Sequence, residues 1–240
     1  MNERPRIYLA GPEVFLADAI DVGRRKKELC AEYGFEGLFP FDNEAPPAEP
    51  LCDLSIYRAN VGMLRGADCG IFNLTPFRGP HADVGTVFEL GLLIGFGKPA
   101  FGYSYEGEAL LDRMKRDGQA AFDEASQLWL DASGMAIEDF GRADNLMIDA
   151  CLAEQGHPLV RRRASAANRF TGSRWILALP RTCEAAFCDR PARARRRLRA
   201  VGIGPQASAF QAAFCPRSAS TPGRSLPSSH SRKAPPAVET

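Results

Sequence analysis

A carboxylate embedded in an apolar run is the group in this chain best placed to do chemistry. Glu89 lies within Asp83-Val84-Gly85-Thr86-Val87-Phe88-Glu89-Leu90-Gly91-Leu92-Leu93-Ile94-Gly95. That stretch follows the turn residues Pro76, Gly79 and Pro80 and reads as a helix entered through a loop, with Asp83 at its first turn. At roughly 100° per residue the axial neighbours of Glu89 are Gly85, Thr86, Leu92 and Leu93. Two of these are small, which leaves an opening above the carboxylate on the side of the helix start. A buried carboxylate without a partner costs several kcal/mol or shifts its pKa, so Glu89 is expected to face a cavity that a ligand fills. The plain alternative is a structural pairing with a distant Arg or hydroxyl. Four further polar groups fall at strand ends or helix starts: Tyr8, Asp68, Asp83 and Asn145. Each has an ordinary structural reading too, Tyr8 as an edge-of-core aromatic, Asp68 as a turn residue, and Asp83 and Asn145 as N-caps.

The elements that must position these groups alternate. Arg6 to Ala10 is short, apolar and stopped by Gly11-Pro12, which reads as a first strand. Residues 16 to 33 carry Leu16, Ile20, Leu29 and Tyr33 among charges and read as an exposed amphipathic helix ending at Gly34. A second strand is expected over Phe35 to Phe41, followed by a Pro-rich loop (Ala45 to Pro50). Helical spacing returns at Ile56, Asn60, Met63 and Leu64 and closes at Gly66. Cys69 to Leu74 is a third strand entered from Asp68; the Glu89 helix follows, then Lys98-Pro99 and a strand over Ala100 to Tyr103. Residues 107 to 116 and 119 to 130 read as helical, and Asn145 to Leu152 as a final helix ended by Gly156-His157-Pro158. Four strand–helix alternations imply one domain of the doubly wound α/β class, Rossmann-like or flavodoxin-like, with a mainly parallel sheet and helices on both faces. Ligands of such sheets sit beyond the carboxyl ends of the strands, where loops would gather the polar groups.

Composition divides the chain. Of its 30 Lys and Arg and 29 Asp and Glu, residues 161 to 240 hold 16 and three, which leaves 14 and 26 in residues 1 to 160; the formal charges are +13 and −12. An acidic front part suits an enzyme of small molecules and not a nucleic-acid surface. Residues 1 to 160 are therefore expected to form the catalytic domain. Residues 161 to 240, with Arg161-Arg162-Arg163, Arg195-Arg196-Arg197 and a Pro/Ser/Ala-rich end, are expected to be a disordered tail without a role, an inert or out-of-frame extension. Within it, Trp175 to Leu179 alone has core character. The seven cysteines form no CxxC pair and read as reduced thiols. With no apolar leader and no 18-residue apolar run, a cytoplasmic protein away from membranes is expected.

Tyr8-Leu9-Ala10-Gly11-Pro12, Gly66-Ala67-Asp68, the Asp83 to Gly91 block and Asn145-Leu146-Met147 occur in an order that resembles the nucleoside 2-deoxyribosyltransferase family over residues 4 to 155. The six-residue step from Asp83 to Glu89 is its most specific element. The resemblance implies that Glu89 attacks the anomeric carbon of a 2′-deoxyribonucleoside, expels the base and forms a covalent deoxyribosyl ester that a second base opens. This follows the two-step logic of retaining glycosidases. Asp68 matches the family's acid/base, and Tyr8 would donate its hydroxyl to Glu89. Asp83 matches a sugar-hydroxyl ligand. Asn145 would hold the 5′-hydroxyl from a neighbouring subunit with Met147 closing the wall, which implies a dimer-based homo-oligomer with shared sites. Gly11 and Gly85 join the substrate-binding set. The loop Thr75 to Ala82 would cover the base, Phe77 stacking on it and Arg78 meeting its exocyclic groups. No metal site is legible, since His81, His157 and His230 each lack a second ligand at usable spacing, and the reaction needs no cofactor.

Two other functions remain open from the residues. A 2′-deoxynucleoside 5′-monophosphate N-glycosidase would use the same glutamate but pass the sugar to water, and would need a cation- or hydroxyl-rich phosphate pocket near Asn145. A non-catalytic nucleotide-binding module on the same fold would have no use for Tyr8, Asp68 and Glu89 together.

Overall fold

A computed structural model of the chain describes residues 4–42 and 53–163. The Pro-rich loop at 45 to 50, the segment Trp175 to Leu179, His230 and almost all of the basic tail lie outside the described residues. Five strands form one sheet in the order β2-β1-β3-β4-β7, every neighbouring pair parallel. They are β1 (Arg6–Ala10), β2 (Glu36–Leu38), β3 (Cys69–Asn73), β4 (Ala100–Ser104) and β7 (Val160–Arg161), with β5 and β6 apart from this sheet.

Strand β1 shows why the sheet has two covered faces. Alternate side chains of a strand point oppositely, so Ile7 and Leu9 enter one core and Tyr8 and Ala10 the other. The first core takes Leu29 and Cys30 from helix α1 (Ala19–Glu32) together with Ile71, Phe101 and Tyr103. The second takes Leu64 from α2 (Asp53–Gly66), Leu90 and Leu93 from α3 (Val84–Gly95), and Ile148 and Leu152 from α5 (Leu146–Glu154). Both faces of the sheet are thereby removed from water, which is why β3 and β4 are buried at every position and read as continuous apolar runs. This is the expected doubly wound architecture.

Close approach of α3 to the sheet rests on Gly70, where an added Cβ would stand 2.7 Å from Leu93 Cδ2. Leu93 is one turn beyond Glu89, so a side chain at 70 would lift the helix that carries the carboxylate. At the other end of α3, Asp83 accepts from both the backbone N–H and the hydroxyl of Thr86, at 2.9 Å each. This is the N-cap that the sequence allows.

Several local expectations are corrected. The second strand is only three residues long, because Pro40 opens a 3-10 turn at Pro40–Asp42. Asp42 fixes that turn by accepting from the Phe39 N–H at 2.8 Å. Residues 119 to 130 are not helical; after α4 (Leu110–Arg116) they form an antiparallel hairpin of β5 (Ala121–Asp123) and β6 (Leu128–Leu130). The physical reasons are a turn closed by Asp123, which accepts from Ser126 N–H and Oγ, the left-handed Gln127 (φ 57°), and the cross-strand pair Phe122–Trp129 at 5.3 Å. Such aromatic pairs stabilise a hairpin by up to about 1 kcal/mol. In α1, Ile20 is 76 % exposed whereas Lys26 is buried, so the inward stripe is Ala19, Val22, Lys26, Leu29 and Cys30. The sheet also runs on through Arg161, paired with Ser104, one residue past the boundary expected for the catalytic domain.

Candidate active site

Tyr8 projects from the middle of β1 onto the α2/α3 face, and Glu89 projects from α3 to meet it. The tyrosine is fully buried and donates its hydroxyl to Glu89 Oε1 at 2.7 Å. A second donor comes from α2, where Asn60 Nδ2 stands 3.3 Å from the same Oε1. Burial is the main influence on the Glu89 carboxyl and pushes it from an ordinary 4.5 up to about 7, opposed by the bonds from Tyr8 and Asn60 and assisted by the negative charge of Asp83. The Tyr8 phenol is itself raised, first by burial and then by Glu89, and so remains a donor. Glu89 is thus a half-buried carboxylate that can exist in both protonation states near neutrality, oriented by two side chains on one oxygen. Such a group can serve as a nucleophile or as a proton carrier.

Asp68 is not gathered to the same sheet edge. It precedes β3 and sits at the amino ends of β1 and β3, where its N–H donates to Arg6 O (2.7 Å) and its Oδ2 accepts from Arg6 N–H (2.9 Å). The polar α2 side chain bonded to Glu89 is instead Asn60, eight residues earlier. Asn60 was visible in the sequence as the one polar member of the stripe Ile56, Asn60, Met63, Leu64, and that was its signal.

At the carboxyl edge the chain turns through Gly11 into the 3-10 turn Pro12–Phe15. Glu13 in that turn is fully buried, and its Oε1 accepts from Lys26 Nζ at 2.6 Å, Asn73 Nδ2 at 2.8 Å and Tyr103 OH at 3.0 Å. Asn73 Oδ1 in turn accepts from Thr75 N–H and Oγ1, and Thr75 Oγ1 accepts from the Tyr105 N–H. One carboxylate therefore ties the carboxyl ends of β1, β3 and β4, with the charge of Lys26 compensating it. A Cβ on Gly11 would fall 2.0 Å from Glu13 Oε2; glycine is required there by close approach. Nothing in the local sequence marks Glu13, which is bonded to residues 13, 60 and 90 positions away.

The loop from Thr75 to Asp83 is closed by Phe77 N–H donating to His81 O at 2.9 Å. The Phe77 ring stacks on Phe15 (5.1 Å, 12° between planes), and the Arg78 guanidinium lies over both rings at 4.6 and 4.9 Å. Phe15 was not anticipated as part of this shelf. Arg78 takes a left-handed backbone (φ 55°). Buried Asp144 anchors the loop's far side. Its Oδ1 pairs with His81 Nδ1 at 2.6 Å, which raises the imidazole pKa, and its Oδ2 accepts from Ala82 N–H at 2.7 Å. Arg113 spans the same seam, donating to Pro80 O and Ala143 O. Asn145 caps α5 by accepting from Met147 N–H at 3.0 Å, and its Nδ2 donates to Glu138, which also accepts from Leu146 N–H. Met147 is 69 % exposed, and Gly85 lies at the start of α3 with the Asp83 carboxylate beside it, 3.2 Å from where a Cβ would stand. Among the described residues, no group of three or more His, Cys, Asp or Glu is placed to share a metal ion, and no helix is long and apolar enough to cross a membrane.

The chain is similar to known proteins in sequence and in fold. An uncharacterized protein of Schizosaccharomyces pombe is 32 % identical over 168 residues, covering 63 % of this chain and 79 % of its own. The structure of a 2-desoxiribosyltransferase from Leishmania mexicana is 29 % identical with a TM-score of 0.50, over 60 % of this chain and 85 % of its own. A model of the nucleoside 2-deoxyribosyltransferase family matches residues 7–147, which take in β1 from its second residue, Tyr8, Asn60, Glu89 and the start of α5. By that match over more than half its length, the chain belongs to the nucleoside 2-deoxyribosyltransferase family.

Proposed function

We propose that the protein transfers 2-deoxyribose between nucleobases, purine or pyrimidine, by a retaining double displacement at Glu89. The observation that carries the reading is the Tyr8–Glu89 pair, a half-buried carboxylate on α3 held by a buried phenol from β1. In the first step a Glu89 oxygen forms a bond to the anomeric carbon as the bond from that carbon to the base breaks; the electron pair leaves with the base, which takes up a proton. In the second step a nitrogen of the incoming base attacks the same carbon, the ester bond breaks, Glu89 recovers its negative charge and the base loses a proton. Two inversions retain configuration. Asp83, Gly85 and Gly11 are assigned to the sugar side and the Phe15–Phe77–Arg78 shelf to the base. Asn145 and Met147 are assigned to the site of a neighbouring subunit in a homo-oligomer. Asp68, held at the amino edge of the sheet, enters as acid/base through the family resemblance alone. The preference for a 2′-deoxy sugar has a chemical reason: without the electron-withdrawing 2′-hydroxyl an oxocarbenium-like transition state forms more readily.

One observation supports this reading over cleavage of a 5′-monophosphate. The N-terminus of α5, beside Asn145, is already occupied by the Glu138 carboxylate, which would repel a phosphate. Chromatography of the protein with thymidine plus adenine tests the reading, run beside thymidine alone, deoxyuridine monophosphate alone, and a Glu89→Ala control. Deoxyadenosine and free thymine, absent in the control, are the expected products; cleavage of the monophosphate alone would replace the transferase by the hydrolase. Unchanged mixtures with folded protein would point to a binding module.

A further inference from the structure

We propose that Asn60 is a positioning residue for Glu89: with Tyr8 it holds Oε1 in place, which leaves Oε2 as the oxygen that attacks. This rests on the transferase reading for the attack itself, while the holding of Glu89 stands on geometry. Two donors from two different elements converge on the same atom, Tyr8 OH from β1 at 2.7 Å and Asn60 Nδ2 from α2 at 3.3 Å. An oxygen that accepts two hydrogen bonds has its lone pairs engaged and its charge spread into the donors. The other oxygen of the carboxylate keeps its electron density for bond formation.

The residue type decides what this neighbour can contribute. A carboxyl on α2 could exchange a proton with the leaving base but would repel the Glu89 charge. An amide donates at every accessible pH and has no proton to give away. Asn60 therefore favours the ionised, nucleophilic form of Glu89, and the proton for the departing base comes from another group. Asn60 also reaches across from α2, so it fixes where Glu89 stands relative to β1. Together with the close approach of α3 at Gly70, this triangulates the carboxylate from three elements. The titratable groups that bear on Glu89 are Tyr8 from β1 and Asp83 from the start of α3, while α2 contributes the neutral amide. Asp83 works against ionisation and the two donors work for it.

The test uses the full-length protein and its Asn60→Ala and Asn60→Asp variants, with the Glu89 carboxyl followed by 13C NMR across pH and assigned by its loss in Glu89→Gln. In the native protein the carboxyl is expected to titrate at about 7. Loss of one charge-assisted donor is expected to move that midpoint up by about one pH unit in Asn60→Ala, and like-charge repulsion to move it further in Asn60→Asp. In base exchange, kcat at pH 6 is expected to fall about tenfold in Asn60→Ala and to recover at alkaline pH, with KM for the nucleoside little changed. A midpoint that stays in place in both folded variants overturns the proposal. Asn60→Asp is nearly isosteric, so it keeps the test open should the alanine variant not fold. A moved midpoint in a protein that exchanges no bases would uphold the positioning of Glu89 and reject the transferase reading instead.

Discussion

Replacing Glu89 by Gln is expected to make the protein more stable while abolishing its chemistry, and the gain should depend on pH. Burial raises the carboxyl from 4.5 to about 7 in the folded state. Between those values the folded protein holds a proton that the unfolded chain has lost. The native state therefore loses stability as pH climbs from about 4.5 to about 7 and stays lower above that. At about 1.4 kcal/mol per unit the full difference is about 3 kcal/mol. Because Glu89 is only half-buried, water screens part of this, and a gain of about 1–3 kcal/mol is the working figure. Glutamine keeps an oxygen to accept from Tyr8 and carries no charge. Urea unfolding of both proteins from pH 4 to pH 8.5 measures the difference; all other titrating groups are shared and cancel. The variant should match the native protein's relative stability at pH 4, gain through pH 5 to 7, and level off above pH 8. In thermal unfolding the same gain is several degrees for a domain of this size. Parallel curves for the two proteins across that range would refute the claim that Glu89 bears an electrostatic cost in the folded state.

Three further outcomes follow from the geometry. Tyr8→Phe removes the 2.7 Å donor to Glu89; a hydrogen bond to a charged group contributes about 1.5–3 kcal/mol, so the acidic limb of the pH–rate profile should move up by about one to two units, and an unmoved limb would exclude Tyr8 from the site. Gly11→Ala forces a Cβ to within 2.0 Å of Glu13 Oε2 and should destabilise the protein by at least about 2 kcal/mol in urea unfolding, with an unchanged midpoint counting against the tight Gly11–Glu13 contact. The His81–Asp144 bond, with the imidazole pKa raised mainly by that bond, should hold the 77 to 82 loop most firmly below pH 6.5 and release it as pH rises past the folded-state value. Amide exchange corrected for its intrinsic rate should then show protection falling with pH in the native protein and flat in His81→Ala.

How much of this was legible in the sequence differs from residue to residue. The helix bearing Glu89, its cap at Asp83 and the cap at Asn145 were all readable, because periodicity and capping act over three or four neighbours. So was the parallel sheet, because strands buried on both sides must be apolar throughout. The hairpin of β5 and β6 was not, since its short strands gave no alternation strong enough to outweigh a helical spacing. The Tyr8–Glu89 bond was implied by the family resemblance; what tertiary structure decided is how it comes about and who else stands beside Glu89. Tyr8, 81 residues away, and Asn60, 29 residues away, meet it because α2 packs on β1 and α3 lies beside α2 on β3, whereas Asp68, apt in type, is carried to the amino edge by the direction in which β3 runs. Likewise Glu13 and Lys26 look like surface charges in a local window and become a buried pair only when α1 closes over the sheet. Chemistry-bearing residue types are written in the sequence, but their company is set by which faces the fold removes from water, a property of the whole chain.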